Sequence, residues 1–418
     1  MRRARPGRRG PAHAADPLPR QARRRAGEGP ADGEGAPVVS GAPADVGQVA
    51  ADLAAELVAI DSVNPGLVPG AAGETAIVEH LRARLARSGF ATHVVPAAGR
   101  PDRPSLVAVA PGADDVPTVV LNGHLDTVGT SGMAAPFAAR VDGDRLVGRG
   151  AADMKGGVAA VVAAAEALLA AGARVRPVLA LVADEEDASL GSEAVIAALP
   201  GLGVRPDVCL VAEPTDLALA RSLRGFAVVR VRFEGRAAHS SQPELGVNAV
   251  TALGRFLHAV DGAAPGVRAG GGELAVTVVR GGGSAFVVPD HAECVVERRT
   301  TEPGSAAAHA EVDALLTPAM RATSELVASR EAWRLDDHGA AADLAGLLGR
   351  ALGTGASFDA PYWMEAPLWQ ASCPTLVCGP SGGGLHAVDE WVDLRQVRAL
   401  ARALVAVLPA WAAGHRGD

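Results

Sequence analysis

Five short clusters of histidine and acidic residues contain the side chains in this sequence that could do chemistry. They are the segments 122–126, 148–157, 184–186, 213–215 and 385–390, and four of them directly follow predicted strands. In open α/β sheets the carboxyl ends of the strands gather at one edge, where ligands bind. Histidine, aspartate and glutamate are donors that zinc takes in hydrolytic sites, with one position left open for water. The pattern therefore predicts a metal-dependent hydrolytic site at this edge.

Each cluster has an ordinary structural interpretation when it is taken alone. Asp153 could cap the Ala-rich helix that follows it, because Asp is a favoured N-cap residue. The acidic segment 184–186 could begin a helix, where negative charge is stabilised. His124 and His386 could be satisfied loop residues, and Glu213 an ordinary loop acid. Their joint occurrence at successive strand ends is what favours a metal site over these separate roles.

Taken in order, the five clusters resemble those of the dinuclear zinc amidohydrolases, the family of acetylornithine deacetylase, succinyl-diaminopimelate desuccinylase, aminoacylase and carboxypeptidase G. The resemblance spans roughly residues 48–412. It implies two Zn²⁺ per subunit, with Co²⁺ or Mn²⁺ as alternatives because the same donors suit those metals. The implied ligands are Asp153 bridging both metals, His124 and Glu213 on one metal, and Glu186 and His386 on the other.

The same resemblance gives roles to two acidic residues that are not ligands. It implies that Glu185 is the general base that takes a proton from the metal-activated water. It also implies that Asp126, two residues after His124, hydrogen-bonds the imidazole and fixes its tautomer. The reaction implied is hydrolysis of the amide bond of an N-acyl amino acid, as in the acetylornithine and succinyl-diaminopimelate deacylases.

Other functions stay open at this point. An exo-carboxypeptidase or dipeptidase of the same family would use the same metal site, and a binding module could have kept the fold and lost catalysis. The segment 379–383 matches the G-x-S-x-G nucleophile elbow of serine esterases, with Ser381 as the nucleophile. The esterase interpretation is weak, because the short stretch after Ser381 leaves no room for an acid and a histidine with sheet between them.

A second set of candidate residues lies in the segment 223–334. His239 resembles the family's histidine that reaches a catalytic centre, often that of the partner subunit, and helps to stabilise the oxyanion. Arg298 and Arg299 resemble the family's substrate-binding arginine, since a guanidinium fork suits carboxylates. The sequence does not show which of the two faces the substrate. Phe286 stands where related proteins usually have Asn, which suggests a more apolar pocket.

Alternating strand and helix patterns must position these clusters. Before and after the segment 223–334, predicted strands alternate with predicted helices, which favours an α/β domain with a mostly parallel sheet. Within it the order is β-α-β-β-α, ending in a helix predicted over 305–328 with an interruption near Pro318, which is typical of an α+β module with an antiparallel sheet. The predicted organisation is a catalytic domain, 48–222 and 335–418, interrupted by a ferredoxin-like lid or dimerisation domain, 223–334.

The charge of the 418-residue chain is unevenly distributed. Residues 1–28 contain nine Arg against Asp16 and Glu28, whereas the formal net charge of the whole chain is −8, so the remainder is strongly acidic. An acidic body disfavours nucleic acid as a main partner, because phosphate binding needs a basic surface. Residues 1–47 lack apolar periodicity and are predicted to be a disordered basic extension.

Hydropathy and cysteine content bear on the compartment. No run approaches the roughly 18 uninterrupted apolar residues of a membrane span, so we expect no membrane partner. Four Cys without a C-x-x-C pair favour buried thiols in a reducing, cytoplasmic compartment. The resemblance of the lid segment implies a homodimer. Lys155 is the only Lys in the chain and lies two residues after Asp153, which suggests that lysine is needed there.

Overall fold

The computed structural model describes residues 45–112 and 115–415. The predicted extension 1–47 lies outside the described residues except for its last three, which cap and begin the first helix. The helices, in chain order, are α1 (Val46–Val58), α2 (Thr75–Arg87), α3 (Gly156–Ala170), α4 (Leu190–Ala198), α5 (Ala249–Ala269), α6 (Ala308–Asp313), α7 (Ala340–Leu352), α8 (Ala366–Gln370) and α9 (Leu394–Gly414).

The strands of the described residues assemble into one six-stranded, two four-stranded and one three-stranded sheet. In chain order they are β1 (Ala91–Ala97), β2 (Arg100–Val109), β3 (Thr118–His124), β4 (Arg140–Asp142), β5 (Arg145–Val147), β6 (Arg176–Val182), β7 (Val208–Val211), β8 (Leu219–Leu223), β9 (Gly225–Glu234), β10 (Glu273–Gly281), β11 (His291–Thr300), β12 (Ala322–Arg330), β13 (Trp333–Arg334), β14 (Ser357–Ala360), β15 (Thr375–Val377), β16 (Gly382–Gly383) and β17 (Trp391–Asp393).

The largest sheet has the strand order β1-β2-β6-β3-β7-β15. Strands β6, β3, β7 and β15 run parallel to one another. Strands β2 and β1 extend the sheet with antiparallel pairings. Every residue of β3 is buried, as expected for a parallel strand that is covered on both faces. The mostly parallel α/β sheet predicted from the sequence is confirmed.

Helices cover both faces of this sheet and form two cores. Val119 and Leu121 of β3 join the core built with α1, α2, α3, α7 and α9. Val120 points to the opposite face and joins the core on the side of α4 and α8. Because side chains alternate along a strand, one apolar run supplies both cores. The polar segments that follow the strands are therefore left at the edge of the sheet.

Within the described part of the chain, α9 is the helix that is long and apolar enough to cross a membrane. Half of its apolar window is buried, however. Leu400, Leu404 and Leu408 belong to the main core, where α9 packs against α1, α3 and α7. The hydropathy of α9 is thus accounted for by its place in the core of the fold.

Strands β9 to β12 form a separate antiparallel sheet with the order β10-β11-β9-β12. Along β9, buried residues alternate with half-exposed ones. Its buried side chains, among them Val229, Val231 and Phe233, pack against α5 and α6, and the ring of Phe233 lies 5.7 Å from that of Phe256. The element order β-α-β-β-α-β is that of the ferredoxin-like module that was predicted, with a final strand that the predicted order β-α-β-β-α lacked.

The helix predicted over 305–328 is wrong in its second half. Helix α6 ends at Asp313, and the residues from Ala322 onward form β12, which pairs with β9. Pro318 cannot donate a helical hydrogen bond, and Arg321 has a φ of 50°, so the chain turns between the two elements. Exposure alternates along much of β12, which shows a period of two rather than the 3.6 of a helix.

Candidate dinuclear metal centre

Three of the predicted clusters meet because their strands are parallel neighbours. His124 is the last residue of β3, and the acidic segment 184–186 follows β6 closely. Glu213 follows β7, which pairs with β3 on its other side. The carboxyl ends of these strands therefore bring an imidazole and several carboxylates to one edge of the sheet.

His124, Asp153 and Glu213 form the first group of donors, with all three donor atoms within 4.8 Å of one another. His124 Nε2 lies 2.9 Å from Asp153 Oδ1 and 3.9 Å from Glu213 Oε1. The His124 and Glu213 side chains are buried, so the group is shielded from bulk water.

Asp153, Glu186 and His386 form a second group of the same kind. His386 Nε2 lies 3.3 Å from Asp153 Oδ2 and 3.2 Å from Glu186 Oε2. Asp153 therefore belongs to both groups and turns one carboxylate oxygen toward each histidine. The sequence-predicted ligands thus come together as two adjacent donor sets that share one carboxylate.

The donor sets fit two divalent metal ions. Glu186 Oε1 is buried and has no hydrogen-bond partner among the described residues, which leaves it available as a ligand. Burial, together with the nearby charge of Asp153, raises the pKa of Glu213 well above its usual value. Burial alone would lower the pKa of His124, but the neighbouring Asp126 and Asp153 carboxylates raise it. A cation would relieve the repulsion among these buried carboxylates, and the oxygen and nitrogen donors suit zinc.

Asp153 is held by a buried acidic residue, Glu390. The Glu390 carboxylate accepts hydrogen bonds from the backbone N–H groups of Gly150, Ala152 and Asp153, at 3.0, 3.0 and 3.2 Å. Arg149 donates to the same carboxylate at 2.5 Å. Because Glu390 follows His386 by four residues, one side chain fixes the Asp153 turn relative to the His386 loop. The sequence reasoning gave Glu390 no role.

Lys155 lies in the same turn and is fully buried. Its Nζ donates a 2.8 Å hydrogen bond to the backbone carbonyl of Ile60, two residues after the end of α1. Burial lowers the pKa of Lys155 to about 7. A Cβ added at Gly150 would come within 3.2 Å of the Lys155 side chain, so the turn is packed around it. The peptide bond between Asp153 and Met154 is cis.

Asp126 orients His124 in a different way from the one expected. His124 Nδ1 lies 3.0 Å from the main-chain carbonyl oxygen of Asp126, whereas the carboxylate oxygen is 3.6 Å away. The carboxylate instead accepts hydrogen bonds from the backbone N–H groups of Glu185 and Glu186, at 3.1 and 3.2 Å. Asp126 therefore positions the histidine and the acidic pair at once, one through its backbone and the other through its side chain.

Glu185 belongs to neither donor group, which leaves its carboxyl free for proton transfer. Burial raises the pKa of Glu185 well above its usual value, and the neighbouring Glu213 adds to the effect. A carboxyl that is electrostatically coupled to Glu213 and His124, but outside both donor groups, can exchange a proton with a water bound there.

The candidates in the β9–β12 module are not gathered with the metal donors in the described structure. His239 is exposed, and its Nδ1 lies 2.7 Å from Ser241 Oγ. Arg298 pairs with Glu311 of α6 at 2.8 Å, and Arg299 pairs with Glu297 at 2.6 Å. Their predicted roles remain predictions.

Comparison with known proteins supports the assignment of the fold. The model of the family "Peptidase family M20/M25/M40" matches residues 120–410. The chain is 31% identical over 214 residues to succinyl-diaminopimelate desuccinylase from Zymomonas mobilis subsp. mobilis, covering 49% of this chain and 54% of that one. It thus spans about half the length of the first curated relatives that it matches.

Solved structures share the fold over most of the chain. A tripeptidase from Staphylococcus aureus subsp. aureus Mu50 aligns with a TM-score of 0.72 and 17% identity, over 88% of this chain and 99% of that one. A dinuclear metal-binding peptidase of the M20 family from Bacillus subtilis aligns with a TM-score of 0.63 and 16% identity, over 87% and 98%. Because the family match covers most of the chain, this protein belongs to the peptidase family M20/M25/M40.

Proposed function

We propose that the protein is a zinc-dependent hydrolase that cleaves the amide bond of an N-acyl amino acid. The observation that carries the proposal is the pair of donor groups sharing Asp153, with the carboxyl of Glu185 beside them. Curated relatives named succinyl-diaminopimelate desuccinylase support an N-acyl amino acid as the substrate class. The metal is proposed to be zinc because histidine and carboxylate donors suit it.

The residues of the site have different roles in the proposed hydrolysis. When bound, two zinc ions would supply an activated water and polarise the scissile carbonyl. Glu185 accepts a proton from the attacking water and returns it to the amine that leaves. Asp126 holds the main chain of Glu185 in place, and His239, supplied by a partner subunit, donates to the oxygen on which negative charge develops.

Arg299, rather than Arg298, is proposed to bind the carboxylate of the amino acid. Arg299 opposes Phe226 across the sheet, and its guanidinium lies 5.3 Å from the Phe226 ring. That ring packs edge to face against Trp363, a residue of the catalytic part of the chain, at 6.0 Å. Arg298 points to the opposite face of the sheet, where it pairs with Glu311. The face that carries Arg299 is therefore the one directed to the catalytic domain.

An exo-carboxypeptidase or dipeptidase activity is the second candidate, favoured by Phe286. This side chain is 72% exposed, and its backbone carbonyl accepts a 3.0 Å hydrogen bond from Ser240, next to His239. An exposed aromatic ring beside the proposed oxyanion donor favours substrates with an apolar side chain. A peptide that ends in an apolar residue meets this preference, and that match is what favours the second candidate.

The organisation of the protein is proposed on the same basis. Residues 223–334 are proposed to form a lid and dimerisation domain, with 48–222 and 335–418 as the catalytic domain. Exposed apolar side chains on the β9–β12 module, Leu245, Val279 and Phe286 among them, support a homodimer. All four Cys are buried and free, which supports a cytoplasmic location.

The experiment that tests the function is hydrolysis of a substrate panel by metal-free protein, with and without added Zn²⁺. The panel contains N-acetyl and N-succinyl amino acids and dipeptides, and Glu185→Gln serves as the control. We expect zinc-dependent release of the free amine in the wild type, and little in the variant. Absence of zinc-dependent turnover on every compound would refute the proposal, and preference for dipeptides would favour the second candidate. Turnover inhibited by serine reagents and indifferent to chelators would point to Ser381 instead.

A further inference from the structure

A buried ionic cluster lies beneath the candidate metal centre, outside the residues already assigned a role. The guanidinium of Arg103, on β2, is fully buried between two carboxylates. Its Nε lies 2.9 Å from Glu74 Oε2, and its Nη2 also bonds Glu74. On the other side, Arg103 Nη1 donates a 2.6 Å hydrogen bond to Asp184 Oδ1. Arg103 thus connects Glu74, at the start of α2, to Asp184, the residue that precedes Glu185.

Asn64 connects this cluster to Asp126. Its side-chain Nδ2 lies 3.2 Å from Asp184 Oδ1 and 2.7 Å from Asp126 Oδ2. Asp126 in turn accepts the backbone N–H groups of Glu185 and Glu186. An unbroken chain of hydrogen bonds, buried as far as the Asp126 carboxylate, therefore runs from Arg103 to the backbone of the proposed base and its neighbouring ligand.

Asp184 holds the turn that carries the acidic pair in an uncommon conformation. Its φ is 69°, in the left-handed region that residues other than glycine rarely adopt. Its backbone carbonyl accepts hydrogen bonds from Ala188 and Ser189, at 3.1 and 2.6 Å, which closes the turn. The bond from Arg103 anchors the Asp184 side chain while the backbone is held in this form. The Asp184 carboxylate also accepts a 3.4 Å hydrogen bond from the backbone N–H of Leu190, so loss of the Arg103 bond would loosen the turn.

The charges of the cluster explain why an arginine occupies this position. Glu74, Asp126 and Asp184 are buried acids, and Arg103 is the guanidinium that contacts two of them. Burial raises the pKa of Glu74, and its hydrogen bonds with Arg103 oppose that shift. Arginine presents several donors in a rigid plane and can satisfy two carboxylates at once, whereas a lysine ammonium is a single point charge.

We propose that Arg103 is a positioning residue, which acts through Asp184, Asn64 and Asp126 to place the carboxyl groups of Glu185 and Glu186. The proposal rests on the function proposed above for that acidic pair. Arg103 touches neither substrate nor metal in this scheme. Its effect is on the distance between the base and the water it serves, where an error of about 1 Å costs roughly 100-fold in rate.

The test compares two Arg→Lys substitutions that keep the charge and remove the fork. Arg103→Lys alters the buried cluster. Arg84→Lys is the matched control, because Arg84 also forks onto a carboxylate, that of Glu166, with 2.7 Å and 3.1 Å bonds far from the site. For each protein, Zn²⁺ affinity is measured by chelator competition, the visible spectrum is recorded after loading with Co²⁺, and kcat, KM and Tm are determined.

We expect Arg103→Lys to weaken the binding of one of the two Zn²⁺, to change the Co²⁺ spectrum, and to lower kcat about 10-fold or more with little change in KM. Arg84→Lys should leave all four quantities unchanged, whatever its effect on Tm. If both variants lower Tm and neither changes Zn²⁺ affinity, spectrum or kcat, the role of Arg103 is structural only and the proposal is overturned.

A second variant decides the question if Arg103→Lys does not fold. Asn64→Ala cuts the link between Asp184 and Asp126 and leaves every charge in place. An altered Co²⁺ spectrum and weaker Zn²⁺ binding in that variant support the proposal, and wild-type values overturn it. If the wild type hydrolyses no member of the substrate panel, the proposed function fails, but Zn²⁺ affinity and the Co²⁺ spectrum still decide whether the cluster positions the acidic pair.

Discussion

Replacing Gly157 by alanine would test how closely the backbone sets the geometry of the donor groups. Gly157 is the second residue of α3, and a Cβ added there would lie 2.1 Å from the carbonyl oxygen of Ala212. The carbonyl carbon of Ala212 would be 3.2 Å away. Both are backbone atoms and cannot rotate aside. Relief of the overlap therefore requires α3 and the end of β7 to separate by about 1 Å.

That separation would act on the first donor group. Asp153 lies in the turn that leads into α3, and Glu213 directly follows Ala212. If α3 and the end of β7 separate by about 1 Å, the distance between the carboxylates of Asp153 and Glu213 increases by a similar amount. Such a misplacement costs roughly 100-fold in turnover. Overpacking should also reduce the free energy of unfolding by about 1–3 kcal/mol.

The assay combines Zn²⁺ affinity, kcat and urea unfolding, with Gly254→Ala as the control. Gly254 lies within α5, and a Cβ there would meet nothing within 4 Å. The control should therefore gain up to about 1 kcal/mol of stability, since alanine favours helix over glycine, and keep full activity. Wild-type Zn²⁺ affinity and turnover in Gly157→Ala would refute the reasoning, because the helix–strand contact would then not determine the distance between the two carboxylates.

Three further predictions concern single side chains. Glu185→Gln should keep both Zn²⁺ and lose roughly 100-fold or more in kcat, and turnover near the wild-type rate would remove Glu185 as the base. Arg299→Lys should raise KM about 10-fold for substrates with a free carboxylate but leave KM unchanged for the corresponding amides. Arg298→Lys should change neither KM value, and the reverse result would exchange the roles of the two arginines. Burial lowers the pKa of Lys155 from 10.5 in the unfolded chain to about 7 in the folded protein. Between pH 7 and pH 10.5 the unfolded chain therefore binds more protons than the folded protein, and the free energy of unfolding of the metal-free protein should rise with pH across that interval. In Lys155→Met the urea midpoint should no longer rise with pH across that interval. A midpoint that rises as steeply as in the wild type would show that Lys155 is not the group responsible.

The sequence predicted those features that depend on local patterns. Apolar runs located β3, β6 and β7, and the polar residues at their ends predicted the donor groups, because parallel strands align their carboxyl ends. The prediction from the apolar pattern is wrong at β12, where a segment rich in small and polar residues is predicted as a helix but forms a strand. There the pairing with β9, which no local window contains, decides the structure.

The supporting residues of the site could not be found in this way. Arg103 is separated by 29 residues from Glu74 and by 81 from Asp184, so no spacing rule connects them. The signal available was an arginine at the entrance to the apolar run of β2, where a buried charge needs a partner. The role of the Asp126 carbonyl was also hidden, because sequence patterns describe side chains and not the backbone atoms that orient them.

The burial of Lys155 determines how the folded protein reacts with amine-directed reagents. Since this is the only lysine side chain in the sequence and it is fully buried, acylating labels should find no reactive lysine on the folded surface. Any acylation of Lys155 would therefore report that the turn carrying Asp153 had opened. The protein thus contains a natural footprinting probe at its proposed metal centre, and mass spectrometry of one peptide would follow the opening of that turn as metal is added or withdrawn.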